Sequence, residues 1–562
     1  MSTIRNYSVA LGLVTLPVLS FAQGIGDQEI IIEKDRQVTV PAANRVLEKT
    51  SLLPVGANTL KSNYTFFDRK PSGLETVEFK PSIISPFFGD KKKEVAGYYK
   101  NQVKLGAGNL GRTLAEVHIN SPQNQKLTFG LTALHNAARR GPIQNENSGA
   151  STNRVALDGK YIANQFKLTG ELGYERQVAH FYGYDTTFVR LSKDEIRQRF
   201  QTYHVGVGFE NIKPGAPVDY WVKTRLHSLA DFYDARELDW QSSGQFFFPI
   251  LADQLTAKVQ GEAYLTQRTD NYLESPTRKR NLFRVYPSFV WTQADWAISL
   301  GLKAVNEFDQ INEISRTKGF PTVDITYKTP SLQYFSVGLD GDILRNTLRG
   351  MIMENPFLMP QVELLNTEKP LDLYISAKGD LTTGLTYYAK ASYGQYRNLY
   401  FFQTSDLANE RGFLLRPFEV VYEAEKVPFF RMETQWNYQP TDIWRTNLKA
   451  MYQYFGVKSF DRPFHRPAVD VTWGNTLLVS NKLMATLDLY HLGGLYAPDP
   501  FSFNEIKKLN PIYDLNAEVN YLLNKQFAVF VRLNNILGKN YQRFLYYPQQ
   551  GLNFLVGVNI SL

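Results

Sequence analysis

The sequence predicts an all-β protein: a large transmembrane antiparallel β-barrel of roughly 22 strands, within a range of about 18–22, preceded by an N-terminal arm outside the barrel. Three observations predict it. The final residues alternate, with Phe554, Val556, Val558, Ile560 and Leu562 on one face and Leu555, Gly557, Asn559 and Ser561 on the other. That period of two is a β-strand with one apolar face, and at the end of a chain it is explained by pairing with the first strand to close a ring. The same alternation recurs from about residue 95 onward. Finally, the 562 residues include 37 Phe and 33 Tyr. Mean hydropathy is nevertheless only −0.31, and no apolar run after the N-terminal segment is long enough for a spanning helix.

Residues 1–22 read as an export signal. Arg5 supplies the positive end and Val9–Leu19 an apolar core broken by Pro17; Ser20-Phe21-Ala22 is a small-x-small site for cleavage between Ala22 and Gln23. Residues 23–94 differ from the rest. The acid-bounded run Glu29-Ile30-Ile31-Ile32-Glu33 is followed by a stretch punctuated by Pro71, Pro81 and Pro86. It predicts a periplasmic arm or partial lumen filler and no independent domain.

Residues 95–562 are the predicted barrel. Ala115, Val117 and Ile119 oppose Glu116, His118 and Asn120, and Leu255, Ala257 and Val259 oppose Thr256, Lys258 and Gln260. Hydrocarbon cannot satisfy backbone polar groups, so a spanning sheet must close, with its apolar face on lipid and its polar face on a lumen. The candidate lumen-lining residues are therefore Lys100, Lys104, Glu116, Lys167, Glu171, Glu175, Lys258, Glu262, Lys378 and Lys390. Their signs are mixed, which suits cross-strand pairing along the wall better than a one-sign selectivity ring. Residues 139–153, 268–280, 306–319 and 497–508 read as extracellular loops, and Asn524-Lys525-Gln526 as a periplasmic turn. The segment Asn346–Glu368, with Asn355-Pro356-Phe357, breaks the alternation and is expected in the lumen or over the mouth.

The residues after Pro511 are the most specific part of the chain. The strand Phe527–Leu533 runs into Asn534-Asn535-Ile536-Leu537-Gly538-Lys539-Asn540-Tyr541, and Tyr547-Pro548-Gln549-Gln550-Gly551 leads to the last strand. This stretch resembles the closing strands of TonB-dependent receptors of the Bacteroidota type, with Asn534, Asn535, Ile536, Leu537 and Tyr541 at the matching turn. The resemblance implies a barrel transporter or receptor in the cell outer membrane, inserted by the barrel-assembly machinery. Two departures stand out: residues 23–90 leave no room for that family's globular plug, and the last residue is Leu562 where the assembly signal usually ends in Phe. Engagement of TonB is left open by the missing plug.

Other chemistry finds little footing. There is no cysteine, which argues against disulfides, thiolate metal sites and a lipid-anchored N-terminal Cys. The seven histidines (His118, His135, His180, His204, His227, His465 and His491) form no spaced metal motif. No nucleophile motif or phosphate loop points to an enzyme, no cofactor is implied, and a net charge of +8 spread along the chain gives no basic stripe for nucleic acid. The aromatic clusters around Tyr387–Phe402 and Phe246–Phe248 read as interface girdles, with a sugar platform as the alternative. Two functions compete: transport or reception at the outer membrane, and a plug-less barrel serving as scaffold or accessory subunit for other outer-membrane proteins or surface lipoproteins.

Overall fold

The computed structural model describes residues 101–562, apart from 122–125, 188, 214–215, 252–253, 270–276, 360–361, 383, 406–414, 500–501 and 503–504. Ala22, Gln23, Lys100 and the segment 23–94 lie outside the described residues.

Alternation with a period of two folds into one closed sheet of 22 strands. Each wall strand is antiparallel to the next in chain order, and the first, Asn101–Gly108, pairs with the last, Asn553–Ser561, in register from Gln102↔Ser561 to Gly108↔Leu555. The ring therefore has no free edge. The seam is tight. A Cβ on Gly557 would fall 1.9 Å from the Leu105 carbonyl oxygen, so only glycine permits this approach. Inside the seam the fully buried Phe530 ring covers Gly106 and Gly557, with the Lys104 ammonium 4.3 Å above it.

The two faces separate by chemistry. Lys104 is 7% exposed while its neighbour Leu105 is 44% exposed on the outer surface. Phe554, Val556, Val558 and Leu562 are likewise exposed, and Leu555, Asn559 and Ser561 are buried. Stacked rings of Phe166, Phe209, Tyr220 and Phe246, with successive centroids 5.3, 6.0 and 5.7 Å apart, cross four adjacent strands near their turn ends. Their place and outward direction are those of an interface girdle. Tyr393 is also on the outer face, but Tyr400, Phe401 and Phe402 are buried inside.

One end of the barrel carries short turns, such as that from Gln293 to Trp296, and the other carries the long connections. The connection read at 306–319 is a correction. Strands Trp296–Asp309 and Ile314–Lys328 continue through it, leaving only a tight turn. Polar side chains there pair across the ladder (Glu307 with Arg316, Asn306 with Thr317), so the strands rise past the apolar band without losing partners. Arg268 and Arg280, read as loop residues, sit at strand ends and are buried. Residues 497–508 hold a small hairpin, Tyr496–Asp499 with Glu505–Lys508.

Candidate transport lumen and its bridged mouth

The segment that breaks the alternation carries the one α-helix among the described residues, α1 (Leu348–Glu354). Thr347 caps it, its hydroxyl accepting from the Gly350 N–H, and the Glu237 carboxylate on a distant wall strand accepts from the N–H groups of Leu348 and Arg349 at 2.8 and 3.1 Å. Leu348, Met351 and Ile352 recur at helical spacing and share one buried face. Asn355 before Pro356 ends the helix, as a pre-proline residue disfavours helical backbone.

That face joins the largest apolar cluster among the described residues. Connections rooted on widely separated strands meet there. The ring of Phe357 stacks on Tyr547 at 3.9 Å, and Tyr182 reaches both, at 5.5 and 5.0 Å. The Arg416 guanidinium donates to the Gly183 carbonyl at 3.2 Å. Side chains from different sectors of the ring touch only if the loops span the opening, so the loop-end mouth is bridged by an apolar core. Full burial pushes the Tyr182 and Tyr547 hydroxyls well above their ordinary pKa, keeping them neutral.

A second anchor is His465, fully buried and edge-on to Phe418. Its Nδ1 faces the Phe402 carbonyl oxygen at 2.9 Å, and the Leu545 N–H donates to Nε2 at 3.2 Å. With Nε2 accepting, the proton sits on Nδ1, and one neutral tautomer ties three connections together. Burial, with the Arg543 charge nearby, drives its pKa down to about 3. The family-like turn is part of the same rim. Asn535 donates from its side chain to the carbonyls of Lys539 and Gln550, Asn534 to Asn553, and the Tyr541 hydroxyl to Asp514 at 2.6 Å. Ile536 is half-buried and Leu537 exposed.

Below the bridge the lumen wall is ionic. Arg284 pairs with Glu262 and, at 2.7 Å, with Asp342; Lys303 reaches Asp340 and Asp342 at 3.0 and 3.1 Å. Lys104 bonds Glu518 at 2.7 Å beside Arg532, Lys167 pairs with Glu210, Arg225 with Glu171, and Arg154 with Glu175 at 3.1 Å. Lys258 and Lys378 lie near Tyr286 and Tyr334, and Lys390 lies 4.5 Å over Tyr374. Glu116 is buried on the same inner face. Arg280 links wall to bridge, bonding Asp309 at 2.7 Å and the Asn346 carbonyl at 2.9 Å. Missed from sequence were Arg349, the pairing of His204 with His227, and the role of His465. Parity along each strand marks His204 and His227 as inward, but the register that brings them together is a long-range property.

No protein-family model matches the chain, and no curated protein does. Solved structures share its fold. The ferric-catecholate import receptor Fiu from E. coli K12, in a closed form, aligns with a TM-score of 0.62 and 10% identity over 83% of this chain and 82% of that one. The FrpB iron transporter from Neisseria meningitidis (F5-1 variant) gives 0.62 and 7% over 83% of each chain. The siderophore receptor PirA from Acinetobacter baumannii gives 0.62 and 10% over 84% and 81%. At these identities the likeness is one of architecture: the chain has the barrel fold of iron and siderophore receptors.

Proposed function

We propose that the protein is an outer-membrane transporter or receptor whose lumen admits a solute when the bridge at its loop end opens. The observation that carries this reading is the asymmetry of the barrel: a wide ring with an ionic inner face that, among the described residues, is bridged by an apolar core at one mouth only. A ring of 22 strands is wide enough for a channel unless something fills it. The shared fold with import receptors and the family-like closing strands support uptake, and the scaffold alternative draws no support from these neighbours. In this reading residues 1–22 are the export signal, 23–94 an arm or lumen filler, the loop end faces outward, and the last strand is presented to the assembly machinery.

Conductance of the purified protein in planar bilayers tests it. The intact protein is expected to be nearly silent, and replacing residues 345–366 by a short Gly-Ser link to raise conductance severalfold. A variant that still migrates as a folded barrel but conducts no better would overturn the reading. Dependence of solute uptake on proton-motive force would mark engagement of TonB.

A further inference from the structure

One rung of the inner wall lies just below the bridge. His204 and His227 are register partners on strands Arg197–Asn211 and Asp219–Ala230, with rings 5.7 Å apart. The His204 ring lies against Gly173, where a Cβ would come within 2.2 Å of it, so the wall is hollowed to take an imidazole. His227 is 3% exposed, and neither of its ring nitrogens has a hydrogen-bond partner among the described residues. Its other register neighbour, Asp239, bonds Arg345, Thr266 and Gln241 and makes no hydrogen bond to it.

Arg349 approaches this rung from α1. It lines a small cleft with Glu175, Thr202 and Leu229, the last two being register partners two positions along from the histidines on the same face. Its guanidinium has no hydrogen bond or ion pair among the described residues. The carboxylates whose charge reaches it are engaged elsewhere: Glu175 by Arg154, Asp239 by Arg345, and Glu237 by the first N–H groups of α1. Burial pushes the Arg349 guanidinium below its ordinary pKa, which expresses the cost of an unpaired charge there.

The geometry points to an oxyanion site: Arg349, His227 and His204 together hold a phosphate or carboxylate group, free or borne by a larger solute. A guanidinium offers a fork of N–H donors matched to such oxygens, and each neutral imidazole offers one more. Arg349 and the adjacent Arg225 repel a metal cation at the same place. An anion bound there also ties α1 to the wall, so occupancy holds the bridge shut. The site stands on wall geometry and not on the transport reading.

Calorimetry on the full-length protein in micelles, with inorganic phosphate and with citrate as probes, tests it. Saturable binding of at least one probe is expected, weakened about tenfold or more in Arg349→Gln and in His227→Leu and partly kept in Arg349→Lys, as for a lost charge-assisted hydrogen bond. Phosphate against citrate separates the two oxyanion sources. The ligand should also slow proteolysis of the loop end in the wild type and not in Arg349→Gln. If Arg349→Gln fails to migrate as a folded barrel, His227→Leu carries the test. Folded wild type that binds neither probe, or binding unchanged by both substitutions, would sink the site. Conductance is read separately, so loss of one property leaves the other standing.

Discussion

The loop end and the turn end of this barrel are made by the same strands, yet they are held by different forces. At the loop end, rings such as Phe357, Tyr547 and Phe418 are fully buried among connections from separate sectors of the wall. At the turn end the inner face is solvated and ionic: Lys167 and Glu210 pair while each is about a third exposed or more, and Asp380 is exposed. One end is stabilised by excluding water from apolar surface, which is non-directional and cooperative. The other relies on the backbone ladder, to which exposed ion pairs add little. A mouth that must be both sealed and openable is better built from loops, because their packing can be lost without breaking a wall strand.

Three perturbations sharpen that contrast. Phe357→Ala should have the largest effect: removing a buried ring stacked on Tyr547 costs about 3–5 kcal/mol of loop-end packing. Limited proteolysis should then cut the connections while the barrel keeps its heat-modifiable migration. Equal loosening of both ends would contradict a division between mouth and wall.

Acid should act next. The neutral His465 in the folded rim has a pKa of about 3 against an ordinary 6.5, so the opened rim binds a proton that the packed rim excludes. Packing is complete above about pH 6.5 and weakens as pH falls toward 3, by up to about 1.4 kcal/mol per unit. Proteolysis rates across that window should rise on acidification, and His465→Gln should flatten the profile.

The smallest effect is expected from Lys167→Gln at the turn end, below about 1 kcal/mol for a solvent-screened pair. Urea unfolding in vesicles should barely register it. A larger loss would mean that turn-end ion pairs hold the wall more firmly than their exposure allows.

The wall was legible because a strand's side chains alternate in a fixed period and lipid demands one chemistry on one side. The inward sense of Lys104, Glu116 and Glu262 and the outward sense of Phe554 and Val556 follow from parity. The stretch 306–319 misleads because strands that rise past the apolar band can carry polar residues on both faces. The irregular segment Asn346–Glu368 was visible only as a break in pattern; nothing in its sequence says that Phe357 meets Tyr547.

By itself, then, the sequence determined the fold class, the closure of the ring and which face of each strand meets lipid, since these depend on local periodicity and on the solvent on either side. Only the tertiary structure decided that loops join across the mouth, that His465 ties three of them, that His204 meets His227, and that Arg349 reaches the wall beside Glu175, Thr202 and Leu229. Those contacts join residues far apart in the chain, and strand register, which no local pattern encodes, brings them within reach.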